Sequence, residues 1–175
     1  MKKLIQALSF ATIAHKYQRR KGANGSPFIN HPIRVSEILS EVGGVTDKDI
    51  LIAALLHDVV EDTPTSLETI EQLFGKEVAY LVDKVSDDKS LPKQERKRLQ
   101  IVHVKDMSDS ARLIKIADKI ANMQDILLDP PDWKLERKIK YFEWAKEVID
   151  SGLRGVNPAL ELMFDDIYNQ MVYIR

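Results

Sequence analysis

Apolar residues in this chain recur every three or four positions, which is the spacing of helices packed on one face. Leu4, Leu8, Ala11 and Ala14 share a face of a first helix, predicted to run out at Arg19-Arg20-Lys21-Gly22, cations followed by glycine. A loop from Gly22 to His31 leads to Pro32, where a second helix can begin, continued by Val35, Ile38, Leu39 and Val42 and closed by Gly43-Gly44. Thr46 and Asp49 resemble a capping box ahead of a third helix, Ile50 to about Glu61, which is apolar on nearly every side and therefore central. Pro64 stops it. Thr65 and Glu68 are expected to cap the next helix, with Ile70, Leu73 and Phe74. Gly75 breaks the pattern, and Val78, Leu81, Val82 and Val85 resume it.

After a polar loop, Ser86 to Pro92, a strongly charged helix is predicted over Lys93 to Val104. Ala111 to Leu127 is amphipathic, with Leu113, Ile114, Ala117, Ile120 and Met123 inward. Asp129-Pro130-Pro131-Asp132 makes a turn, Leu135 to Ile149 a further helix, and Asn157-Pro158 starts the last one. No alternating strand pattern and no repeat or low-complexity linker interrupts this order. The expectation is an all-α, single-domain bundle over residues 1–175.

Composition narrows the function classes. With 26 basic and 27 acidic residues the net charge is -1, so no global basic excess draws the chain to nucleic acid or an anionic membrane. There is no cysteine, which excludes disulfides, thiolate ligands and thiol catalysis and is compatible with the cytoplasm. Near the start, Gln6, Ser9 and Thr12 break the apolar stretch before His15-Lys16, so it reads as a helix and not an export signal. No apolar run approaches the ~20 residues of a membrane span.

The densest chemistry is His57-Asp58-Val59-Val60-Glu61-Asp62, at the end of the most apolar helix. On a continuous helix His57 and Glu61 are i,i+4 neighbours, as are Asp58 and Asp62. Half-buried carboxylates need a partner, and a divalent metal satisfies several at once; the alternative is a helix with a polar end emerging into solvent. Asp118 and Asn122 repeat the logic one turn apart on a second amphipathic helix. Asp118 alone reads better as a solvated face, and His31, ahead of Pro32, as a helix N-terminal cap or a loop histidine. His15 and His103 lack acidic neighbours and read as structural or exposed.

Taken together, His31…His57-Asp58…Asp118 resembles the ligand pattern of the HD superfamily. The resemblance is closer to the hydrolase domain of RelA/SpoT proteins, and closest to the free-standing small alarmone hydrolases of that family. The blocks that carry it are AHKYQRRK (14–21), PFINHPIRV (27–35), AALLHDVVEDT (53–63), LFGKEVAYLVDKVSDDKSLPKQERKRLQ (73–100), LIKIADKIANMQD (113–125) and YFEWA (141–145).

This resemblance implies an HD-type bundle around one Mn2+ held by His31, His57, Asp58 and Asp118, a donor set suited to a borderline cation. Glu61 and Asp62 would orient and deprotonate the attacking water. Arg20 and Lys21 would hold the guanine side, Arg20 by stacking its guanidinium plane. Asn122 would contact ribose or phosphate, and Lys93 and Tyr141 the distal phosphates. Without the resemblance, Arg20-Lys21 is a helix-end charge pair, Lys93 part of a solvated face, and Tyr141 partly core. Gly22 departs from the small hydroxyl residue of the bacterial bifunctional enzymes.

The implied activity is Mn2+-dependent hydrolysis of guanosine 3′-diphosphate 5′-di(tri)phosphate to GDP or GTP and pyrophosphate, in the cytoplasm, without nucleic-acid or membrane partners. Two other readings stand beside it: a phosphatase on another nucleotide such as NADPH, and a metal-free nucleotide-binding regulatory module.

Overall fold

A computed structural model of the chain describes residues 1–174. Among them there is no β-strand, only two isolated bridges, Arg19 with Pro27 and Gly22 with Pro131. The helices are α1 (Lys2–Ala14), α2 (Asn30–Glu37), α3 (Lys48–Leu56), α4 (Val59–Asp62), α5 (Leu67–Phe74), α6 (Lys76–Val85), α7 (Lys93–His103), α8 (Asp109–Leu128), α9 (Leu135–Gly152) and α10 (Pro158–Asn169). A π-helical turn, Ile38–Val42, extends α2, and short 3-10 turns follow α7 and α10.

Two helices organise the rest. In α3, Ile52, Ala53, Ala54, Leu55 and Leu56 are all buried, as its uniformly apolar sequence requires, and it touches α1, α2, α6 and α8. The longest helix, α8, buries Ile114, Ile116, Ala117, Ile120 and Met123 against α2, α3, α6, α9 and α10. α8 carries one metal-ligand candidate, Asp118, and α3 ends directly before two others, His57 and Asp58. No helix among the described residues is long and apolar enough to cross a membrane.

The all-α expectation holds, while several boundaries move. The first helix ends at Ala14, not near Gly22. His15 takes the structural of its two readings, buried with its ring bonded to the Gln18 side chain, and Arg19 turns back to pair with Pro27. The second helix starts two residues before Pro32. Asp47, not Thr46, caps α3, accepting the Asp49 N–H at 2.8 Å. Ser66, not Thr65, caps α5 through the Thr69 N–H. Both shifts follow from the cap's need for an oxygen two or three residues ahead of the N–H it accepts. Leu113 is only half-buried.

The third predicted helix is interrupted. It runs to Leu56, turns at His57-Asp58 and resumes as α4. At the turn the His57 ring takes the Ala54 carbonyl at 2.8 Å, and the Ser86 hydroxyl donates to the His57 carbonyl at 3.3 Å. Side-chain partners therefore take over carbonyls near the break in the helical ladder.

Candidate metal centre and active site

The four proposed ligands meet. His31 comes from α2, His57 and Asp58 from the turn after α3, and Asp118 from α8. His31 Nε2 is 3.2 Å from Asp118 Oδ1 and 3.7 Å from Asp58 Oδ2. His57 Nε2 is 3.2 Å from Asp58 Oδ2 and 3.8 Å from Asp118 Oδ1. One ligand atom each from His31, His57 and Asp118 falls within a 4.8 Å cluster.

The donor chemistry fits a divalent cation. His57 donates Nδ1–H to the Ala54 carbonyl, which fixes the tautomer and turns the Nε2 lone pair inward. That buried Nε2 faces the Asp58 and Asp118 carboxylates and makes no other hydrogen bond among the described residues. Burial disfavours the His57 imidazolium, yet Asp58 and Asp118 outweigh it and push the ring up to about 9. His31, more strongly governed by burial, is lowered. Burial pushes Asp118 up, but Lys119 and the two imidazoles hold its carboxyl well below the usual range. Asp58 is likewise lowered against burial, chiefly by His57. Two carboxylates converge here on two imidazoles, and a bound cation can take the place of the proton on His57, leaving both imidazoles neutral.

The helix that would carry the i,i+4 rows along the HDVVED segment is broken at His57, while Asp58 caps α4 and its carbonyl still accepts the Asp62 N–H at 2.8 Å. Glu61 and Asp62, on α4, are turned to a different set of partners. Glu61 Oε2 accepts the Asp87 N–H at 2.9 Å, and its Oε1 lies 3.3 Å from Lys89 and 3.6 Å from Arg96. Burial raises the Glu61 carboxyl against the Asp87 N–H, moving it toward the pKa of a useful proton acceptor. Asp62 pairs with Lys89, and its carbonyl accepts Gln18 Nε2 at 2.8 Å.

A cavity of about 1070 Å³ opens over these groups, and every sequence-predicted site residue lines it. Arg20 donates from Nε to Asp125 Oδ2 at 2.8 Å and from Nη2 to Asn122 Oδ1 at 2.7 Å, with Cζ 5.5 Å from the Phe28 ring centroid. Asn122 passes the connection on, donating Nδ2 to Asp118 Oδ1 at 2.6 Å. Tyr141 packs between Trp133 and Trp144, ring centroids 6.4 and 5.5 Å away, and burial raises its hydroxyl well above the ordinary value. Gly22 meets the other side of the mouth. A Cβ there would lie 2.0 Å from Asp129 Oδ2, whose partner oxygen accepts Asn24 N–H and Nδ2.

Other functional candidates were hidden in the sequence. Lys97 lies one turn after Lys93 on α7, and Arg137 comes from α9. Among the described residues neither these two nor Lys93 forms an ion pair. Lys97 is instead held over Trp144, 4.4 Å from the ring centroid, and Arg137 over Trp133 at 4.0 Å. Burial and the neighbouring cations Lys93, Lys119 and Arg137 push Lys97 down to about 8. The i,i+4 spacing of Lys93 and Lys97 is the one signal of this wall in a segment that otherwise reads as solvated.

Comparison with known proteins adds the lineage. The HD domain family model matches residues 7–141. The chain belongs to the HD domain family. Within this HD family it is 51% identical over 169 residues to guanosine-3′,5′-bis(diphosphate) 3′-pyrophosphohydrolase MESH1 of Drosophila melanogaster, covering 96% of this chain and 94% of that protein. Human MESH1 is 47% identical over 168 residues, covering 95% and 93%. A solved structure of a metazoan SpoT orthologue, described as hydrolysing ppGpp and acting in starvation responses, superposes with a TM-score of 0.94 at 50% identity. It covers 97% of this chain and 96% of that one. The HD chain here is thus similar to these proteins along nearly their whole length.

Proposed function

We propose that the protein is a divalent-metal-dependent guanosine-3′,5′-bis(diphosphate) 3′-pyrophosphohydrolase, with Mn2+ held by His31, His57, Asp58 and Asp118. The whole chain is read as one HD-type unit. The observation that carries the reading is the convergence of buried His57 and His31 Nε2 on the Asp58 and Asp118 carboxylates, in the same cavity as Lys93, Lys97 and Arg137, which form no ion pair among the described residues. Four ligands that leave other positions open suit hydrolysis, and cations without carboxylate partners suit a polyphosphate. The relatives' stated activity supports the choice of substrate.

When bound, the ion supplies Lewis-acid polarisation and a more acidic water. The chain's own residues do the rest. Glu61, raised by burial and fixed by the Asp87 N–H, accepts the proton of the attacking water, with Asp62 beside it orienting that water. Arg20 and Lys21 hold the guanine side, and Asn122, which keeps one free N–H, reaches ribose or phosphate. Lys93 and Tyr141, joined by Lys97 and Arg137, offset charge that develops on the departing pyrophosphate.

The test is product analysis. Incubation of the protein with ppGpp and Mn2+ should release GDP and pyrophosphate in equal amounts. Intact ppGpp after prolonged incubation, with orthophosphate released from NADPH instead, would reassign the substrate while leaving the metal centre in place.

A further inference from the structure

We propose that Lys119 is a positioning residue that restricts Asp118 to one ion-facing oxygen, keeping a coordination place open for water or substrate. The inference rests on the metal centre proposed above.

Lys119 follows Asp118 on α8 and is only 3% exposed. Its Nζ donates to Asp118 Oδ2 at 3.0 Å. The other oxygen, Oδ1, is the one 3.2 Å from His31 Nε2 and 3.8 Å from His57 Nε2. Oδ1 also accepts Asn122 Nδ2–H at 2.6 Å, so the two oxygens of one carboxylate are divided between the side of the imidazoles and Asn122 and the side of the ammonium. Trp144 keeps that ammonium in place, with Nζ 4.5 Å from the ring centroid. The indole is itself anchored by Nε1 donation to the Lys97 carbonyl at 3.2 Å.

For metal affinity alone this arrangement is unfavourable. A buried ammonium beside a ligand carboxylate competes with the ion for the same charge. An apolar side chain against Trp144 would bind the ion more tightly. What the ammonium adds is control of denticity. A carboxylate with both oxygens free can chelate through both, and each additional bond fills a place that water or a phosphate oxygen requires. Lys119 therefore trades affinity for an open position, and its removal should move binding and turnover in opposite directions. A purely structural lysine would lower both.

Lys119→Met retains the stem against Trp144 and removes both charge and donor. Calorimetric titration should show Mn2+ binding several-fold tighter than in the wild type. Water-proton relaxation should count fewer exchangeable waters on the bound ion, and turnover should fall by about 10–100-fold. Lys119→Arg, which keeps a donor to Oδ2, should retain the wild-type water count. Weaker Mn2+ binding by Lys119→Met, or an unchanged water count, overturns the inference. Should Lys119→Met fail to fold by circular dichroism, the comparison passes to Lys119→Leu, which also lacks a donor, and Lys119→Arg, which keeps one; equal water counts in those two overturn it as well. Wild-type protein that takes up no Mn2+ overturns the metal centre itself, a separate failure.

Discussion

Replacing Arg20 by lysine separates planarity from charge at the entrance to the cavity. The guanidinium is 18% exposed and makes two directed bonds, to Asp125 and Asn122, with the Phe28 ring beside it. Lysine can keep one of those bonds and the charge, but not the fork or the plane. The ion pair itself accounts for little, because Asp125 is 44% exposed and water screens the pair to below ~1 kcal/mol. A loss of that size moves the melting temperature by no more than about 4 °C in a chain of this length. A stacking contact with the guanine base is worth about 0.5–2 kcal/mol, which is a factor of roughly 2 to 30 in binding. Steady-state kinetics of Arg20→Lys with ppGpp should therefore show KM raised within that range, kcat little changed and metal content intact. An unchanged KM would refute the stacking role and leave Arg20 as a charge alone. A large fall in kcat would instead mean that its bond to Asn122, and through it to Asp118, governs the chemistry.

His57→Ala and Asp58→Ala should each lose bound metal and turnover together, by more than the 10–100-fold typical of groups behind the ligands; elemental analysis of the purified variants checks this. Glu61→Gln should keep stoichiometric metal and lose about 10²–10⁴-fold in kcat, since it keeps the shape and loses the proton acceptor. Lys97, lowered from 10.5 to about 8, carries its charge at neutral pH and loses it as pH rises through 8. KM for the polyphosphate should therefore climb above pH 8. Over the same range this group's contribution to stability should grow, because the unfolded chain still binds the proton that the folded chain has released; urea unfolding at pH 7 and 9.5, compared with Lys97→Met, measures it. Gly22→Ala should cost about 1–3 kcal/mol by overpacking against Asp129, read from the midpoint of urea unfolding.

The helices were legible because their apolar faces repeat with the helical period, α3 standing out by its apolarity and α8 by its length. Boundaries were less so. Nothing in the local pattern separates a helix ending at Ala14 from one reaching Lys21, because the stop depends on His15 finding Gln18 and on Arg19 pairing with Pro27. The interruption at His57-Asp58 depends on a ring and a serine hydroxyl taking over carbonyls, and Ser86 is twenty-nine residues away. Of the site, the HD motif carried His57 and Asp58, but His31 and Asp118 looked ordinary by themselves. Only the resemblance joined them, and the fold then brought them within 4 Å of the other two. Lys97, Arg137 and Lys119 escaped notice because a cation is exposed by default. Their use became visible only when two tryptophans stood against them, with no carboxylate partner for Lys97 or Arg137 among the described residues and with Asp118 beside Lys119.

Those tryptophans have an optical consequence. Trp133 and Trp144 are the only two in the chain, and both line the cavity. Each indole has a cation against its face, Arg137 on one and Lys97 with Lys119 on the other. An anion that draws those cations away changes the electric field on both rings at once. The tryptophan fluorescence of the protein, excited selectively over tyrosine, therefore comes entirely from this cavity, and occupancy can be followed without a label, in real time and at low protein concentration.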